Sequence, residues 1–221
     1  MFSRVPAELK ALRQWHCWLL KNGVKIPTQL DGTPAKSNDP ETWSDFKSAV
    51  SAAIYQQGIA FEIADPYTGI DLDNCLDEDG NLREWAVPIV ARLDGVAYSE
   101  ISPSGTGIKF LTRARKPDGA KCLHKIGEDK QQIECYDHAR FWTITGDCYN
   151  RQDTIADGQQ VIDWLCENYL SAVEQQTAVV RHLPAPPRGI DTPLAERAVS
   201  YVATIPGQSK GNLRNSAFSL S

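Results

Sequence analysis

Between residues 58 and 145 the chain is a succession of short runs of strand composition: GIAFEI, GIDLD, AYSEIS, GIKFLTR, QQIECYD and ARFWTIT. Segments with turn or loop chemistry, DPYT, SPSGT and KPDGAKCLHKIGED, divide most of them. Short runs rich in β-branched and aromatic residues, with Gly, Pro and Asp between them, build sheets and not helices. The middle of the chain is therefore β-rich. GIAFEI and GIDLD, joined by DPYT, read as a strand pair. RQWHCWLLK supplies a further strand, with Trp15, Cys17 and Leu19 on one face and Gln14, His16 and Trp18 on the other.

Helical signals lie before, within and after it. Asp39 as cap and Pro40 at the first position open a helix that puts Trp43, Phe46, Val50, Ala53 and Ile54 on one stripe and ends at Gly58. VKIPTQLDGTPAKSND before it reads as a loop. A second helix is expected from Leu82 to Leu93, capped by Asn81, stopped by Gly95 and kinked at Pro88. A third runs from about Gly158 to Val173, with Val161, Leu165 and Tyr169 at helical spacing. HLPAPPRGID has the composition of a semi-rigid linker. Beyond it Thr192 and Pro193 begin a helix with Leu194, Ala198, Val202 and Ile205 on one face. One helix plus GNLRNSAFSLS cannot bury a core of its own, so a helical module is expected to start there and continue. The expected organisation is an α+β catalytic domain over 1–178, with mixed or antiparallel sheets flanked by helices, a linker over 179–191 and the module over 192–221.

Lys plus Arg number 23 against 28 Asp plus Glu, a formal charge of −5, which excludes wholesale wrapping of a nucleic acid duplex. A local groove remains open to the chain: Arg113, Arg115, Lys116, Lys121 and Lys125 cluster, as a solvated face or as a track for a single strand. The six cysteines are spread out behind no apolar signal segment and read as reduced thiols, which places the chain in a cytoplasm. No apolar run approaches the roughly 18 residues that span a bilayer.

Chemistry concentrates at three places. In Gly69-Ile70-Asp71-Leu72-Asp73 the two carboxylates are two residues apart on a strand and so share a face, while Ile70 and Leu72 anchor the other. Like charges so placed repel unless a cation lies between them, and hard divalent ions bind such oxygen pairs; the plain alternative is a solvated strand end. An EF-hand fails, because Cys75 and Leu76 stand where that loop needs an oxygen ligand and a glycine. In Ser102-Pro103-Ser104-Gly105-Thr106-Gly107, followed by Lys109, hydroxyls, backbone N–H groups and a cation can meet phosphate oxygens, or form an ordinary turn with a surface lysine. No Walker loop is present, since GxxxxGK[ST] does not occur. In Ile133-Glu134-Cys135-Tyr136-Asp137, Glu134 and Tyr136 share a face and offer a third carboxylate and an aromatic platform. Cys122, His124, Cys135 and His138 offer soft zinc ligands, at a spacing that matches no common finger.

Taken in order, QWHCW, KIP, the segment ending in DPETW, GIDLDNC, SPSGTGIKF, IECYD and RFWTITG resemble the bifunctional primase-polymerase domain of phages and plasmids, a branch of the archaeo-eukaryotic primase superfamily, over about residues 10–150. The resemblance implies a nucleotidyltransferase that joins nucleoside triphosphates on a single-stranded DNA template, sometimes without a primer. It maps the catalytic, metal-holding acids to Asp71, Asp73 and Glu134, around two Mg²⁺ or Mn²⁺ ions roughly 3.5–4 Å apart. Its Ser-x-His nucleotide element falls on Ser102 and Ser104, with Lys109 at the usual histidine position. A lysine holds phosphate as a point charge but cannot act as a neutral imidazole. Arg140, Lys25 and Lys36 are lesser candidates near the nucleotide. Family members commonly continue into a helical module and a helicase, so a helicase domain or protein is an expected partner. The residues alone leave two alternatives: a metal-dependent nuclease, and an inactive nucleic-acid-binding initiation module.

Overall fold

The computed structural model describes residues 2–127, 130–150 and 152–171. The linker and helical module expected over 179–221 lie outside the described residues, as does the end of the helix expected to reach Val173. The chain forms α1 (Ala7–Lys10), β1 (Trp15–Lys21), β2 (Val24–Thr28), α2 (Phe46–Ala52), β3 (Gly58–Ile63), β4 (Tyr67–Asp73), α3 (Val87–Leu93), β5 (Tyr98–Ile101), β6 (Ile108–Arg113), β7 (Leu123–Lys125), β8 (Gln132–Tyr136), β9 (Arg140–Ile144) and α4 (Gln159–Tyr169). The strands make two antiparallel sheets, in the orders β2-β1-β3-β9 and β5-β6-β4-β8-β7.

The expected α+β class holds, but several local expectations give way. β3 and β4 do not pair: β3 lies between β1 and β9, and β4 between β6 and β8. Both strands are buried along most of their length, as suits the inner strand of a sheet. Asp39 and Pro40 open only a 3₁₀ turn, Pro40–Thr42. The chain is extended again at Trp43, because Ser44 exchanges backbone hydrogen bonds with Trp15 of β1 (3.1 and 2.6 Å). α2 then starts afresh behind Asp45, whose carboxylate accepts from Ser48 N at 3.0 Å. Ile54, expected on the buried stripe, is 75% exposed, since the helix ends at Ala52. The second helix begins at Val87 and not at Leu82; Pro88 lies in its first turn, where a missing N–H costs nothing, and introduces no interior kink. Leu82 instead bridges to Leu76. The stretches read as loops contain β2 and β7.

Alternation along β4 positions the site. Ile70 and Leu72 face one way and pack with Ile108, Phe110 and Ile133 against α3 (Ile89, Leu93) and α4 (Ile162, Leu165). Tyr67 belongs to a second core, with Leu111 and Tyr98 of its own sheet and Phe61, Ile63 and Trp142 of the other. Burying these apolar side chains stabilises both layers at roughly 25 cal/mol per Å². Gly69 lets the sheets approach closely, because a Cβ there would press on Ile63 Cδ1 and lie 3.0 Å from two ring carbons of Trp142. Past this contact the same face of β4 carries Asp71 and Asp73.

Candidate active site

Register brings distant stretches of sequence into one row. Asp71 stands opposite Lys109 of β6 on one side and Glu134 of β8 on the other, while Asp73 stands opposite Gln132. Directly opposed residues on adjacent strands project from the same face, so the three acids and Lys109 meet although 63 positions separate Asp71 from Glu134 (134 − 71). They line a cleft of ≈ 400 Å³ together with Lys25 and Arg140, beside Tyr136, Phe141 and Trp142.

Two of the acids have a cationic partner, and the third shares an amide. Lys109 Nζ donates to Asp71 Oδ2 and lies 5.5 Å from the centroid of the Trp142 ring. Arg140 donates to Glu134 Oε2 at 2.6 Å and stacks over Tyr136 at 4.6 Å. The Gln132 amide donates to both Asp73 Oδ2 (2.7 Å) and Glu134 Oε1 (3.0 Å). Burial, then the charge of Asp71, push Asp73 above the usual carboxylate range. Burial does the same to Glu134, against the opposing pull of Arg140. Burial and the neighbouring Lys109 lower Lys25.

The Ser102–Gly107 turn is folded against the end of β4: a Cβ on Gly107 would lie 2.9 Å from Leu72 O and 3.1 Å from Ser102 Oγ. Ser102 Oγ accepts from Gly107 N (3.2 Å) and hydrogen-bonds Ser104 Oγ (2.8 Å), which in turn meets Thr106 Oγ1 (3.1 Å). Ser102 thus shapes the turn, while Ser104 and Thr106 line a second cavity of ≈ 740 Å³ with Lys125 and Lys130. Asp73 and Gln132 border this cavity, and Asp73 lines the first cleft as well. The motif after β9 serves Glu100 of β5, whose carboxylate accepts from Thr145 N (2.6 Å), Thr145 Oγ1 (2.9 Å) and Gly146 N (3.1 Å), joining the two sheets beside the row.

Asp71, Asp73, Glu134, Lys109 and Arg140 are therefore brought together, and Ser104 lies next to them. Lys25, carried by β2, joins them; Lys36 does not line the cleft, but is exposed and paired with Asp39 at 3.9 Å. The basic cluster divides: Arg113 at the far end of β6 pairs with Glu8, Lys116 Nζ donates to Ala120 O, and only Lys125 lines the second cavity. The zinc quartet does not converge. Cys135 hydrogen-bonds Cys166 in the helix-facing core, Cys122 is exposed, and His138 pairs with Asp137 at 2.6 Å. Gln132 and Lys130 are residues lining the cavity that sequence reasoning missed; the signal for Gln132 was its place two residues before Glu134, on the same strand face.

Among the described residues no group of three or more His, Cys, Asp or Glu side chains is arranged as a metal centre. The acids are drawn instead to Lys109, Arg140 and Gln132. Their chemistry still suits a hard divalent cation: three carboxylates line one cleft, and Asp71 Oδ1 is buried there without a hydrogen-bond partner.

Fold and site define an α+β domain with a carboxylate cleft beside a hydroxyl-lined turn. No protein-family model matches the chain. A curated protein of Nitratiruptor phage NrS-1, DNA Primase-polymerase, is 34% identical to it over 166 residues, covering 71% of this chain. The match covers 23% of that protein's length. This chain carries a domain of the primase-polymerase family.

Proposed function

We propose that the chain is the catalytic part of a DNA primase-polymerase: it joins nucleoside triphosphates on a single-stranded DNA template, extending a primer or starting one, during replication of a phage or other mobile element in the host cytoplasm. The relative's name supports primase or polymerase activity. The observation that carries the reading is the register of Asp71 with Glu134, with Asp73 on the same face and bordering the hydroxyl-lined cavity. A nuclease has no need of such a cavity next to its acids.

Asp71, Asp73 and Glu134 would hold two Mg²⁺ or Mn²⁺ ions, which when bound lower the pKa of an attacking 3′-hydroxyl and neutralise charge on departing pyrophosphate. The remaining work is positioning. Ser104 and Thr106 offer hydroxyls, and Lys125 and Lys130 ammonium groups, to the triphosphate tail in the larger cavity. Arg140 and Gln132 fix the direction of Glu134. A helicase, as a further domain or a separate protein, would supply unwound template.

Primer extension on labelled single-stranded DNA, with Mg²⁺ and with Mn²⁺, tests the proposal. Asp71→Asn should lower incorporation by about 10²–10³-fold, the scale for losing one electrostatic contact to the transition state, while the fold persists. Undiminished incorporation by Asp71→Asn/Asp73→Asn rejects the site, and strands that only shorten reject the polymerase.

A further inference from the structure

Lys109 is 7% exposed, and its ammonium is held on one side by Asp71 Oδ2 and on the other by the face of Trp142. Both contacts favour a cation at that point. The opposite oxygen, Asp71 Oδ1, is buried and has no hydrogen-bond partner. Lys109 and Arg140 offset two of the three carboxylate charges, and half-buried Lys25 lies near Asp71 and Asp73. By its own side chains the cleft is thus close to electrically neutral and has little net pull on a free divalent ion.

We propose that Lys109 is a built-in counter-ion that occupies the cation position at Asp71 until nucleotide arrives, so that a divalent ion gains Asp71 only by displacing the ammonium. The inference rests on the assignment of Asp71, Asp73 and Glu134 as metal ligands made above. The polyanionic triphosphate provides the exchange. Its oxygens give the displaced ammonium a new partner, and its charge draws the divalent ion into the cleft. Metal and nucleotide then bind with positive coupling, each easing entry of the other. Asp71 is never left buried without a cation, which would be costly.

The test is a Mn²⁺ titration of the purified chain, with free Mn²⁺ read by electron paramagnetic resonance, with and without a non-hydrolysable nucleoside triphosphate. Wild type should bind Mn²⁺ weakly alone and at least about tenfold more tightly with the nucleotide analogue. Lys109→Gln, which keeps a donor for Asp71 but no charge, should bind Mn²⁺ about tenfold more tightly than wild type without nucleotide, and Lys109→Arg should behave as wild type. Circular dichroism melts establish that each variant is folded. Equal Mn²⁺ affinity in folded Lys109→Gln and wild type overturns the proposal. If Lys109→Gln does not fold, wild type alone decides: Mn²⁺ affinity that the analogue leaves unchanged overturns it as well. Failure of the underlying reading looks different, because Mn²⁺ binding would then survive Asp71→Asn/Asp73→Asn.

Discussion

Replacing Gly69 by alanine should cost stability in a way that one methyl group elsewhere can restore. The new Cβ would press on Ile63 Cδ1 and lie 3.0 Å from Trp142 Cε2 and Cζ2, between two sheets that are already packed. Overpacking of this kind costs about 1–3 kcal/mol. For a domain of this size that is a fall of roughly 2–12 °C in Tm. Ile63→Val removes the crowded Cδ1 atom, and by itself should cost about 0.5–1.5 kcal/mol. In the Gly69→Ala background the same change should cost nothing or stabilise, a coupling of about 1 kcal/mol in the double-mutant cycle. Urea unfolding followed by tryptophan fluorescence measures all four proteins, and Trp142 is itself part of the strained contact. Gly69 is two residues from Asp71, and Trp142 also faces the Lys109 ammonium, so nucleotide incorporation should fall with stability and recover with it. Costs that add to within about 0.3 kcal/mol would refute the reasoning, since the crowding would then not run through Ile63.

Two other predictions concern carboxylates in or beside the cleft: Asp73, held above its usual range, and Glu100, held by hydrogen bonds. Asp73 binds its proton more tightly folded than unfolded, so its contribution to stability falls as pH rises from the unfolded pKa through the raised folded one and recovers on acidification. In chelated protein Asp73→Asn should therefore raise the urea midpoint at neutral pH, with a gain that shrinks toward pH about 4; no gain at neutral pH would show that burial and Asp71 do not penalise this group. Glu100→Gln replaces a carboxylate that accepts from Thr145 and Gly146 by an amide with one acceptor, and should cost about 1–3 kcal/mol in urea unfolding. An unchanged midpoint would mean that the two sheets are not tied through this residue.

How much of this was legible depended on the range of the signal. The Asp71 and Asp73 face follows from period two alone, and β4 obeys it, with Ile70 and Leu72 in the helix-facing core. The apolar runs gave the strands and the α+β class. Capping chemistry was local and real: Asp39 does cap, but only a 3₁₀ turn, because a backbone pairing of Ser44 with Trp15 intervenes and Asp45 starts the helix again. Pro88 was correctly placed at a helix and wrongly placed within it, since proline suits a first turn better than an interior. Two short strands inside stretches read as loops were missed: β2 alternates Val24 and Ile26 with Lys25 but contains Pro27, β7 has three residues, and each is a strand by pairing with β1 or β8.

By itself the sequence determined which side chains share a strand face, because that is set by backbone geometry within a few residues. Only the tertiary structure decided that β3 and β4 part company into two sheets, that Glu134 stands in register with Asp71, and that Lys109 rather than Lys36 reaches the acids. Those choices depend on which strands become neighbours, and strand neighbours are selected by burial of both faces across the whole domain.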